Sequence, residues 1–224
     1  MALSHGPGVI TDGLVLCLDA ADSLSYPGSG TTWTDLSGNG NNGTLRNWNS
    51  PGTTIVSNVK CFYLNGSTSG TGDIEISNFY ENFVAGDNTH TFEWWGYSNS
   101  ASAIDPFNSG ACGTPCIAYG ESGSYFDATG SLGVSAGIIT SEWHQYTLVQ
   151  NGTTATSYRD GVQIGTRNDW GVPPSASRSA IIGSRGWSDR QNNWYLSTYK
   201  WYNKALTASE IQQNFNASRG RFGI

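Results

Sequence analysis

A chain of 224 residues with 12% charged side chains but 9 Trp, 11 Tyr and 8 Phe is the opposite of a disordered sequence, which pairs low hydrophobicity with high net charge. Its net charge of −6, from 11 basic and 17 acidic residues, excludes a protein that holds nucleic acid by counterion release from a clustered Lys/Arg surface. No apolar run approaches the length of a membrane span, and Met1-Ala-Leu-Ser-His-Gly-Pro-Gly8 has neither the basic nor the apolar region of a secretory leader, so the expectation is a protein made in the cytoplasm and bound to no membrane.

Taken in chain order, the strand signals begin at residues 13–19 (Gly-Leu-Val-Leu-Cys-Leu-Asp) and continue at 60–64. Residues 73–77 (Asp-Ile-Glu-Ile-Ser) and 91–97 (Thr-Phe-Glu-Trp-Trp-Gly-Tyr) follow the two-residue period of a half-buried strand. Residues 98–130 are rich in Ser, Gly and Ala and are expected to form an elaborate loop region. Further strands are predicted at 143–149, 155–160, 179–183 and 195–202. Between the strands stand Asp12-Gly13, Asn39-Gly40, Asn42-Gly43, Asn65-Gly66, Asn151-Gly152 and Asp160-Gly161, dipeptides that favour φ > 0 and mark hairpins. Many short strands with turns between them predict an all-β sandwich or barrel. Thr207-Ala-Ser-Glu210 is a capping box, and Ile211 and Phe215 behind it share one face, so a helix of about two turns should pack on the sandwich.

Four cysteines are present. Cys17 and Cys61 lie in apolar strand-like runs and are expected to be buried thiols. Cys112 and Cys116 are spaced to clip a zinc or close a small loop. No second Cys/His pair follows, so a local disulfide in an oxidising setting is preferred to a metal.

The ordered set of segments resembles the laminin-G-like/concanavalin A-like lectin and glucanase superfamily. It runs from Gly13-Leu-Val-Leu-Cys-Leu-Asp-Ala20 and Trp33-Thr-Asp-Leu-Ser-Gly-Asn-Gly-Asn-Asn-Gly-Thr44 through Phe62-Tyr-Leu-Asn-Gly66, Ile74-Glu-Ile76, Thr91-Phe-Glu-Trp-Trp95, Trp143-His144 and Tyr158-Arg-Asp-Gly-Val162 to Trp201–Ile211. The resemblance implies a two-sheet antiparallel jelly-roll sandwich with one short C-terminal helix. On that basis residues 1–12 are expected as an N-terminal arm, 13–217 as the sandwich domain and 218–224 as a C-terminal tail. The opening motif and the tail (Asn214-Phe-Asn-Ala-Ser-Arg-Gly-Arg-Phe-Gly-Ile224) look like those of tailed-phage structural proteins. The implied task is a capsid-decorating or tail-associated component on the virion surface, its arms ordering on a lattice of capsid or tail proteins. The alternative is a carbohydrate-binding module for host-surface polysaccharide; self-association is left open.

Enzymes of the superfamily resemble a Glu-x-Asp-x-Glu strand. The corresponding residues are Thr71, Asp73 and Glu75, so the nucleophile carboxylate is missing and no catalytic residue is assigned. In residues 91–97, Phe92 and Trp94 share one face while Glu93, Trp95 and Tyr97 share the other. If the first pair faces the inter-sheet core, Glu93, Trp95 and Tyr97 form an outer aromatic and carboxylate platform for a glycan or for a protein interface. Calcium is common in the resembled family, and Asp73, Asp127 and Asp160 offer oxygens, but no Asp-rich ligand loop exists. No metal or cofactor is therefore assigned.

Overall fold

The computed structural model describes residues 8–48, 50–64, 72–77, 89–99, 139–168, 180–183 and 194–224 in full, together with the backbone of the strands lying between 104 and 134. The strands are β1 (Leu14–Asp19), β2 (Thr32–Trp33), β3 (Gly43–Arg46), β4 (Thr54–Val56), β5 (Val59–Leu64), β6 (Asp73–Ile76), β7 (Thr89–Ser98) and β8 (Ile104–Asn108). There follow β9 (Cys116–Gly120), β10 (Gly123–Asp127), β11 (Gly133–Val134), β12 (Trp143–Asn151), β13 (Thr154–Arg159), β14 (Val162–Arg167), β15 (Ala180–Ile182) and β16 (Trp194–Tyr202). Helix α1 (Ala208–Ser218) and a 3-10 turn (Arg219–Phe222) follow β16.

Two antiparallel sheets form the expected sandwich. The first has the order β14-β13-β12-β7-β16-β5-β4, with β1 also paired to β16, and the second the order β11-β10-β9-β8-β15-β6-β3-β2. Alternation decides what lies between them. Trp94 stands in register with Tyr146 on one side and Tyr199 on the other, and Phe92 with Leu148 and Trp201. All six are buried in the inter-sheet core with Leu16, Leu18 and Phe62, facing Trp33, Leu45, Ile74 and Ile182 of the second sheet. Each such side chain contributes roughly 1.5–3 kcal/mol by leaving water.

The Asn/Gly-rich segment after Trp33 has a structural task. Asp35 accepts from the Cys17 and Ser37 amides at 2.9 Å each through Oδ1, and from the Ser37 hydroxyl at 2.7 Å and the Asn41 amide at 3.0 Å through Oδ2. This ties the β2–β3 loop of the second sheet to β1 of the first. At the β13–β14 hairpin Asp160 and Gly161 both have positive φ, 53° and 78°, as a two-residue primed turn requires.

Several expectations change. β8, β9 and β10 lie inside the segment expected to be loop and extend the second sheet. The β4–β5 hairpin turns on Ser57 and Asn58 at φ 48° and 65°, without the glycine that would have announced it. The capping box forms, with the Glu210 amide donating to Thr207 Oγ1 at 3.3 Å and the Thr207 amide to Glu210 Oε2 at 2.8 Å, but α1 runs to 11 residues. Residues 218–224 do not form a tail apart from the domain. Ser218 ends α1, the 3-10 turn continues from it, and Phe222 is buried against the first sheet. Of the expected N-terminal arm, residues 8–12 are described, and they too are anchored: the Ile10 amide donates to Asn214 Oδ1, and Gln213 Nε2 to the Gly8 carbonyl, at 2.8 Å each.

Candidate functional site

The outer face of the first sheet is an ordered array. Cys17, Lys200 and Glu93 stand side by side on β1, β16 and β7, and Asp19, Thr198 and Trp95 form the adjacent row. A register shift in β16 between Leu196 and Thr198 turns Thr198 outward while Leu196 stays in the core. Alternation thus places Glu93, Trp95 and Tyr97 on the outer face as expected, but not in water.

Over β7 that face is sealed. Glu93 and Trp95 have no exposed surface. Phe222 stacks on Trp95 with ring centroids 3.8 Å apart and an interplanar angle of 4°, Phe215 lies at 5.9 Å, and Trp95 Nε1 donates to Ser218 Oγ at 3.0 Å. Glu93 accepts from Lys200 Nζ at 2.6 Å and from Asn214 Nδ2 at 2.9 Å. Asn214 also donates to the Tyr202 hydroxyl at 3.0 Å. Burial alone would push the Lys200 ammonium down, but the charge and hydrogen bond of Glu93 outweigh it and hold the group above the usual lysine range. Tyr97 is half-buried beside Trp143 and Tyr195. The platform is therefore an intramolecular interface: a ring with no exposed surface cannot stack on a sugar.

Over β1 the same face is open. A cleft of about 800 Å³ lies between β1, the outward residues of β16 and the segment 216–222, with Gly8, Val9 and Thr11 also lining it. Its floor carries Cys17, Asp19, Thr198 and Lys200, and its wall Ser218 and Arg221. Arg221 reaches across the rim, donating to Asp19 Oδ2 at 2.6 Å and Ser197 Oγ at 2.7 Å. The Thr198 hydroxyl is buried and has no hydrogen-bond partner. Desolvation raises the Cys17 thiol to about 11, so it stays protonated near neutral pH. Cys61, on the same outer face, is buried and raised to about 12. Both are free thiols. Cys112 and the side chain of Cys116 lie outside the described residues.

On the outer face of the second sheet, Arg46 ties the two carboxylates of β6 together. Its Nε donates to Asp73 Oδ1 at 2.9 Å and its Nη1 to Glu75 Oε2 at 3.1 Å, while Asn47 Nδ2 donates to Asp73 Oδ2 at 3.1 Å. The Trp48 ring covers Gly72 so closely that a Cβ there would collide with it. Thr71, at the nucleophile position, lies outside the described residues. Asp160 has both oxygens engaged, Oδ1 by the Gln145 amide at 3.0 Å and Oδ2 by His144 Nδ1 at 2.6 Å. The side chain of Asp127 is outside the described residues. Among the described residues no three His, Cys, Asp or Glu side chains cluster to hold a metal, and no helix is long and apolar enough to cross a membrane.

Lys200, Asn214, Thr198 and Arg221 were not foreseen. Lys200 alone left a sign, a lysine between Tyr199 and Trp201 in an aromatic strand, where burial demands a partner carboxylate.

With this geometry the class is plain: a concanavalin A-like sandwich whose C-terminal segment packs on its own first sheet. The model of the concanavalin A-like lectin/glucanases superfamily matches residues 28–212, and the chain belongs to that family. No curated protein matches. Among solved structures the chain is similar to Trypanosoma rangeli sialidase in complex with sialic acid, at TM-score 0.64 and 16% identity over 93% of this chain and 33% of that one. It is also similar to the binding domain of Paraclostridial Mosquitocidal Protein 1, at TM-score 0.67 and 16% identity over 92% of this chain and 52% of that one. The chain thus spans about a third of the sialidase and about half of the toxin domain. Identities this low establish a shared fold.

Proposed function

We propose that this chain is a non-catalytic carbohydrate-binding module that attaches its bearer to a surface polysaccharide. The observation that carries the reading is the lectin/glucanase family match over residues 28–212. The site geometry favours the lectin branch of that family over the glucanase branch. Asp73 and Glu75, which stand where glucanase carboxylates would, are both ion-paired to Arg46, whereas a retaining hydrolase needs one carboxyl as nucleophile and another as acid. Similarity to a sialidase solved with sialic acid supports a carbohydrate ligand, and similarity to the binding domain of a toxin supports a binding role.

The test is a glycan array probed with the full chain, alongside a reducing-sugar assay on the polysaccharides it binds. Retention on a defined set of glycans with no sugar released is the expected result. Release of reducing sugar contradicts the non-catalytic reading, and an array without signal contradicts carbohydrate binding.

A place on the surface of a tailed-phage particle is a finer proposal. It is supported by the resemblance of the opening motif and of residues 214–224 to phage structural proteins. The burial of Phe222 gives the end of the chain an intramolecular role and weakens its use as a lattice arm. Quantitative mass spectrometry of purified particles decides it: many copies per particle support a virion component, and absence from particles removes it.

A further inference from the structure

We infer that Lys200 and Asn214 are the two halves of an intramolecular isopeptide bond, and that Glu93, between them, catalyses its formation. The inference is independent of what the module binds and concerns the sealed half of the outer face.

Three side chains from three elements meet there. Glu93 of β7 accepts from Lys200 Nζ of β16 through Oε1 at 2.6 Å, and from Asn214 Nδ2 of α1 through Oε2 at 2.9 Å. One carboxylate therefore holds an amine beside a carboxamide. Glu93 and Asn214 have no exposed surface, and Lys200 is 6% exposed. The orientation of the Asn214 carboxamide is fixed on both sides. Its Nδ2 also donates to the Tyr202 hydroxyl at 3.0 Å, while its Oδ1 accepts from the Ile10 amide at 2.8 Å. Stability alone does not account for such a site, because apolar side chains of similar volume do as well as a buried ion pair. A nucleophile, an electrophile and a proton carrier brought together away from water make a reaction centre.

The reaction needs nothing from outside the chain. Proton transfer from Nζ to Oε1 along the hydrogen bond turns the ion pair into a neutral amine and a neutral acid, a change that burial favours. The proton stays within the pair, so the hold of Glu93 on the ammonium against loss of a proton to solvent does not oppose it. The Nζ lone pair then attacks Asn214 Cγ. The Ile10 N–H, already on Oδ1, stabilises the negative charge that develops there. Glu93 passes its proton to Nδ2 and takes a second one from Nζ, the Cγ–Nδ2 bond breaks, and ammonia leaves. An Nζ–Cγ amide has replaced the carboxamide, and Glu93 ends as a neutral acid, so no charge stays buried. Well-oriented intramolecular groups reach effective concentrations of about 10⁵–10⁸ M, and exclusion of water suppresses hydrolysis of the carboxamide. Lys200 also lines the open cleft, which gives ammonia a path to solvent, and its dilution there draws the reaction forward. The bond ties α1 to β16 covalently, and unlike a disulfide it is indifferent to the redox compartment.

The test is the intact mass of the purified full chain under denaturing conditions, with tandem mass spectrometry of its tryptic peptides. The expected mass is about 17 Da below that of the unlinked chain, one ammonia lost. Trypsin should then fail to cut after Lys200, and residues 191–204 should be recovered joined through that side chain to residues 205–219. Asn214→Ala removes the electrophile and keeps the ion pair, and Glu93→Gln removes the proton carrier; both should show the full mass. Glu93→Gln also breaks the ion pair, so Asn214→Ala carries the comparison if that variant fails to fold. A wild-type chain of full mass overturns the bond. So does an ammonia loss that maps to an Asn-Gly turn, where a succinimide forms, with residues 191–200 and 205–219 recovered separately. A linked Glu93→Gln chain overturns the role of Glu93.

Discussion

The two faces of the first sheet are built from the same strands and solve burial differently. The inner face meets another sheet and needs only shape, so it carries Phe92, Trp94, Leu148 and Trp201. The outer face meets its own C-terminus, and there Glu93, Lys200 and Asn214 are buried among Trp95, Phe215 and Phe222. A buried ion pair adds little net stability over apolar side chains of similar shape, but removing one partner is expensive. The outer face is therefore where single substitutions discriminate best. It is also divided, sealed over β7 and open over β1, and only the open half is accessible to a ligand.

The sharpest way to break this contrast is to remove one charge from the sealed half. Glu93→Gln leaves Lys200 buried without its counterion and should cost about 3–5 kcal/mol in urea unfolding. The double variant Glu93→Gln/Lys200→Met should recover a large part of that loss. If Glu93→Gln unfolds like the wild type, the pair is not buried in solution. Phe222→Ala tests the cover itself. It should cost about 3 kcal/mol by opening a cavity over Trp95, with a red shift of tryptophan emission as that ring meets water. A smaller effect belongs to the foundation of the helix. Thr207→Ala removes the cap and should lower stability by about 1 kcal/mol.

Glu210 adds a pH signature to the same cap. The Lys204 hydrogen bond, followed by those from Thr207, holds its carboxyl below the usual glutamate range. Its contribution is complete above the unfolded-state value, about 4.3, and is lost as pH falls through the lower folded value. Thr207→Ala should therefore flatten the stability curve at the acid end, and an identical acid limb in wild type and variant would contradict the coupling. The smallest effect is expected outside both halves. Asp12, 84% exposed in its pair with Lys204, should change stability by less than about 0.5 kcal/mol when replaced by Asn.

Much of this arrangement was legible from residue spacing. Strict alternation in residues 91–97 separated Phe92 and Trp94 from Glu93, Trp95 and Tyr97 correctly, because a pleated strand offers no other choice. The Thr207–Glu210 box was equally local. Illegible were the strands with weak local signals: β8 contains Pro106, and β4 ends in a Ser-Asn turn without glycine. The cover on the outer face was illegible for a different reason. Asn214 and Glu93 are 121 residues apart, and nothing near either residue says that they meet. Nor could alternation show that Thr198 and Arg221 line one cleft, since both the β16 irregularity and the fold-back of residues 219–222 are needed to place them.

Amide hydrogen exchange followed by mass spectrometry tests most directly the claim that the C-terminal segment is part of the domain and divides the outer face. If residues 211–222 seal β7, their amides open together with that strand and exchange on its slow timescale. Fast exchange across 214–222 with β7 still protected would contradict the account and return Trp95 to the surface as an open platform.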